Sequence, residues 1–101
     1  MYCLKRNDLD EIRDMLENGL NLIYHINRID KMNMRKRIRN EIEILGEFES
    51  PSTENIMGRF EERLPDVMQQ LPYAHLDDLR KLIAIKTARF RSMSHVVSKY
   101  S

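Results

Sequence analysis

Asn33–Glu54 reads NMRKRIRNEIEILGEFESPSTE, and how it divides decides the fold. Met34, Ile38, Ile42 and Leu45 recur at three- and four-residue steps, which is the apolar face of a helix. Gly46 follows the last of them and suits the position just past a helix C-terminus. Ser50 then offers an N-cap, and Pro51 suits the first position of a new helix because its missing N–H needs no partner there. Ser52 and Thr53 are alternative caps. The stretch therefore predicts one helix ending, a short turn and a second helix starting, with charge that runs from basic to acidic.

Upstream, Leu9, Ile12, Leu16, Leu20, Ile23 and Ile26 form a similar stripe, in phase with the one from Met34. No glycine or proline separates the two sets. The reading leans to one long helix over 8–45 with a bend near Asp30 to Asn33, where polar residues interrupt the seam, a short break there being the alternative. Asn7 or Asp8 is the expected N-cap, and Asp10 and Glu11 sit where the helix dipole favours negative charge.

Downstream, Ile56, Met57, Phe60 and Leu64 give the apolar face of a helix over 51–64, closed by Pro65. A short piece over 65–71 ends at Pro72. The last segment, over 74–100, carries a heptad-like seam of Leu76, Leu79, Ile83, Lys86, Phe90, Met93, Val97 and Tyr100. Lys86 is its one charged member. Such a stripe fits an ordinary core helix, and also a helix that pairs with another chain, where a seam lysine sets register. The expected architecture is all-α: a single domain over 1–101 forming a small antiparallel bundle of three to four helices.

The bulk numbers agree. With 101 residues, 42% of them hydrophobic, the chain has enough apolar surface for one modest core. Cys3 is the single cysteine, which excludes an internal disulfide and favours a reducing, intracellular setting, cytoplasmic or nuclear. The start MYCLKRND turns charged at once and predicts no secretory leader. The apolar run LIAI, Leu82–Ile85, is far short of a membrane span.

Catalytic patterns are missing from the sequence. His25, His75 and His95 form no metal-binding pair, and three scattered glycines cannot cradle a phosphate. DLDEIRD, Asp8–Asp14, fails as a calcium loop: Arg13 stands where glycine is required and Gly19 where the bidentate glutamate is required. Neighbouring carboxylates such as Glu61 and Glu62 point about 100° apart on a helix and do not converge on one atom. The expectation is a non-enzymatic protein with no cofactor, no metal and no small-molecule substrate.

Charge is the informative feature. The net charge of +1 hides alternating blocks: acidic over 7–27, basic over 28–39, acidic over 41–66 and basic over 76–101. Arg28, Lys31, Arg35 and Arg39 step by three and four along one helix face. Arg80, Lys81, Arg89 and Arg91 lie in the last block. Together these eight residues are candidate contacts for an acidic partner or for phosphates. An acidic segment of the same chain is the first alternative to exclude. With no tryptophan and few aromatics, a base-stacking platform is not visible. The sequence therefore points to a protein–protein interaction domain, an adaptor, regulator or accessory factor of a virus or phage. Its expected partner is another protein, with self-association through the 76–100 seam as the specific form. Nucleic-acid binding through the basic blocks is the second reading, and no membrane partner is expected.

Overall fold

The computed structural model describes residues 4–23, 28–49 and 51–100, with side chains described outside 28–30 and 89–100. They form five helices: α1 (Arg6–Leu22), α2 (Arg28–Leu45), α3 (Thr53–Arg63), α4 (Pro65–Gln70) and α5 (Tyr73–Tyr100). Among the described residues there is no strand. The expected all-α bundle is what the chain forms.

The segment expected as one helix over 8–45 is two. α1 stops at Leu22, where the Ile23 N–H turns back to the Leu20 and Asn21 carbonyls. α2 starts at Arg28, ahead of the polar stretch where a bend was expected. The physical reason is burial. On one continuous helix two in-phase stripes would point the same way and could not pack on each other. Once the chain reverses, they close on each other: Leu9, Ile12, Leu16 and Leu20 share one core with Met34, Ile38, Ile42 and Leu45.

Side-chain contacts give the direction of each helix pair. Arg6 reaches Glu43 at 2.7 Å, and Arg39 reaches Glu17 at 3.3 Å, so α1 and α2 run antiparallel. Arg59 meets Glu41 at 2.8 Å and Arg37 reaches the Arg63 carbonyl at 2.9 Å, which sets α3 antiparallel to α2. Thr53 bonds Thr87 at 3.0 Å, while Met57 and Glu61 face Leu76 and Asp77 across a cleft, so α5 runs back along α3. His75 and Lys86 then join α5 to Met15 and Asp8 of α1. The circuit α1, α2, α3, α5 is an up-down-up-down bundle, and α4 is the link between its third and fourth members. Phe60, Ile38, Leu45, Leu79 and Ile83 are fully buried at its centre.

Local chemistry sets the helix ends. The cap of α3 is Ser52, whose hydroxyl accepts from the Asn55 N–H at 3.2 Å. α1 has Lys5 at its N-cap with no side-chain bond, so neither Asn7 nor Asp8 caps it. Asp8 sits in the first turn instead and is committed to Lys86. Pro65 opens α4, as proline favours. Gly46 does follow α2, but its φ lies outside the left-handed region. Space explains it better: a Cβ there would sit 3.0 Å from Leu9 Cδ1.

Candidate functional site

The basic ladder of α2 is largely spent inside the chain. Arg35 donates to Asn21 Oδ1 at 2.9 Å, and Arg39 donates to Glu17 at 3.3 Å. Arg37, off the ladder, donates to the Arg63 carbonyl at 2.9 Å and pairs with Asp66. Lys31 is half-buried, and desolvation, then the neighbouring Arg35 charge, hold its pKa below the ordinary lysine value. On α5, Lys81 pairs with Asp77 at 3.0 Å one turn away. Arg80 is exposed and makes no ion pair among the described residues. The side chains of Arg28, Arg89 and Arg91 lie outside the described residues. Arg35 and Arg39 of the ladder thus meet α1, while Arg37 beside it meets the end of α3 and the start of α4, and each such exposed pair contributes little alone.

The α5 seam also turns inward over its first half. Leu79 and Ile83 are fully buried, Leu76 packs against the same core, and Lys86 is 6% exposed. Lys86 Nζ lies 2.8 Å from Glu11 Oε2 and 3.1 Å from Asp8 Oδ1. The hydrogen bond to Glu11 is the largest influence on its pKa, and against the opposing desolvation the two carboxylates raise it above the ordinary lysine value. The lysine in the seam is therefore a clasp between α5 and α1. Phe90, Met93, Val97 and Tyr100 belong to α5, and their side chains lie outside the described residues.

Glu41, one acid of a block in the sequence, is a centre in the fold. Its side chain is 7% exposed, with Arg59 at 2.8 Å and Arg63 at 3.2 Å. The Arg59 contact is an ion pair without hydrogen-bond alignment, since Glu41 Oε2 and Arg59 Nε both lack a hydrogen-bond partner. A signal for this site was present. Glu41 falls three residues after Ile38 and four before Leu45, inside the apolar stripe, and Arg59 and Arg63 share one face of α3.

Arg59 also carries the surface beside it. Its guanidinium carbon stands 4.9 Å from the centre of the Phe48 ring, a cation–π arrangement. Phe48 sits in the turn after α2, where its N–H donates to the Leu45 carbonyl at 3.2 Å. The ring contacts Arg59, yet Phe48 is 40% exposed. It forms one wall of a groove of about 670 Å³. Pro51 and the α3 residues Glu54, Gly58 and Glu62 line it too. Gly58 stands in the middle of α3, and a Cβ there would meet nothing within 4 Å.

His75 Nε2 lies 2.6 Å from the Met15 carbonyl oxygen, which ties the ring to α1. Among the described residues, no three metal-ligating side chains cluster. No described helix is long and apolar enough to cross a membrane. The chain matches no protein-family model, no curated protein and no solved structure.

Proposed function

We propose that this chain is a non-enzymatic protein–protein interaction module, and that its docking surface is the groove between Phe48 and the outer face of α3. The observation that carries the reading is Gly58. Mid-helix glycine costs about 1 kcal/mol relative to alanine. Usually a close neighbour explains it, as Leu71 and His75 explain Gly19, where a Cβ would lie 2.3 Å and 2.7 Å from their side chains. At Gly58 the space is open, so nothing inside the chain calls for glycine. A bare backbone on a groove wall lets another chain approach closely.

The surroundings fit that use. Phe48 is an aromatic anchor already fixed by Arg59, so little side-chain freedom is lost on contact. The charge-segregated helices supply the frame: pairs at Glu41 hold α2 and α3 at the spacing that leaves the groove open. The groove is preferred to the α5 seam because Leu79, Ile83 and Lys86 face the chain's own core.

Selection of binders from a random peptide library, followed by chemical-shift mapping of the selected peptides, tests the reading. The expected map centres on Phe48, Gly58 and Arg59, and Gly58→Gln removes binding. A map centred elsewhere, or a library that yields no binder, would end it.

A further inference from the structure

We infer that the groove's partner is a cationic segment of another protein, with basic residues flanking an apolar one; this rests on the docking surface proposed above. Internal pairing decides which charges remain to meet a partner. Of the ionic residues lining the groove, Arg59 and Arg63 are both engaged by Glu41. Glu49, Glu54 and Glu62 line the same groove, are exposed, and make no ion pair among the described residues. Two arginines set against the one Glu41 charge, with three glutamates unpaired among the described residues, leave the groove and its Glu41 centre at a net charge of −2, in keeping with the acidic 41–66 block.

The spacing of this glutamate rim is specific. Glu54, Gly58 and Glu62 are successive residues at four-residue steps, so they lie along one face of α3. A glutamate stands one turn to either side of the glycine gap. At 1.5 Å per residue the two carboxylates are separated along the axis by about 12 Å. In an extended peptide, residues four apart span about 13 Å, and residues i, i+2 and i+4 share one face. A segment Lys-x-Leu-x-Lys laid along the groove would set its leucine over Gly58 against Phe48, and a lysine near each glutamate. An acidic segment would meet repulsion at both ends, so the rim also selects against the wrong partner. A nucleic-acid backbone is repelled for the same reason.

Two acetylated, amidated peptides test this: Lys-Ser-Leu-Ser-Lys and Glu-Ser-Leu-Ser-Glu, titrated into the ¹⁵N-labelled chain at low salt. The expected result is saturable shifts at Phe48, Gly58 and Arg59 with the lysine peptide, at least tenfold stronger than with the glutamate peptide. That preference should weaken as salt rises and reverse in Glu54→Lys/Glu62→Lys. The far-ultraviolet spectrum of the double variant checks that it is folded, and Asp78→Lys serves as a charge control away from the groove. Equal binding of the two peptides, or a preference the double variant leaves unmoved, overturns the cationic partner and leaves the docking groove standing. No binding of the lysine peptide also overturns it. The docking surface itself falls if the peptide library yields no binder or its binders map elsewhere. If light scattering finds a dimer that Gly58→Gln dissolves, the occupant is a second copy and the cationic partner is overturned.

Discussion

Lys86 Nζ lies 3.1 Å from Asp8 Oδ1, and the lysine side chain is 5% exposed. One ion pair therefore joins the first turn of the first helix to the last helix, across nearly the whole sequence. Glu11 completes the site at 2.8 Å from a half-exposed position. Losing one partner of a fully buried pair costs about 3–5 kcal/mol because the other charge is left without compensation. Asp8 is 14% exposed and keeps some water, so Lys86→Ala is expected to cost less, about 2–3 kcal/mol. Urea unfolding followed by helical circular dichroism measures this. Glu11→Gln should cost under about 1 kcal/mol, since that side chain is half in solvent. If Lys86→Ala changes the oligomeric state and leaves the unfolding midpoint where it was, the clasp is not structural.

The same clasp has a pH signature at the alkaline end. Glu11, then Asp8, keep the proton on Lys86 in the folded state and raise its pKa. The folded chain then holds the proton more tightly than the unfolded one. The contribution is complete below the ordinary lysine value of about 10.4. It is lost as pH rises through the raised folded value. Urea midpoints at pH 8, 9.5, 10.5 and 11.5 should fall more steeply for the native chain than for Lys86→Met above the ordinary value. Parallel curves would assign the alkaline loss to the other lysines and tyrosines.

Two glycines in helices should respond in opposite directions to alanine. At Gly19 the new methyl would enter space held by Leu71 and His75, the latter fixed on the Met15 carbonyl. Gly19→Ala is expected to destabilise by about 1–3 kcal/mol, the range for overpacking. At Gly58 the methyl meets nothing, so Gly58→Ala should stabilise by about 0.5–1 kcal/mol. Chemical denaturation of both variants against the parent decides it. A stabilising Gly58→Ala that also weakens peptide binding would mean the glycine is kept for contact at a cost in stability.

What the sequence disclosed and what it withheld follow from range. Ile38, Ile42, Leu45, Phe60, Leu79 and Ile83 were legible as core because helical period is a local property. The end of α1 was not, because residues 20–33 contain no glycine or proline, and burial of two stripes against each other is a tertiary effect. Lys86 stood out as the seam's one charge, but its partners are more than seventy positions away. The Phe48 groove was not anticipated. A lone phenylalanine in a turn and a lone glycine in a helix become a surface only after α2 and α3 pack.

Phosphate contacts need cations free to release their own counterions on binding. Arg39 already faces Glu17, Arg37 faces Asp66, and Lys81 faces Asp77. A nucleic acid would have to displace these carboxylates, which remain nearby and repel it. Labelled single- and double-stranded probes at low salt, where electrostatic attraction is greatest, should therefore show no saturable anisotropy change below about 100 μM, the weak end of non-specific affinities. Glu17→Gln/Asp66→Asn, which frees two arginines, should bind more strongly than the parent. Tight, salt-sensitive binding by the parent chain, lost in Arg37→Gln/Arg39→Gln, would mean that these arginines serve phosphates and that their pairing with α1 and α4 yields to a ligand.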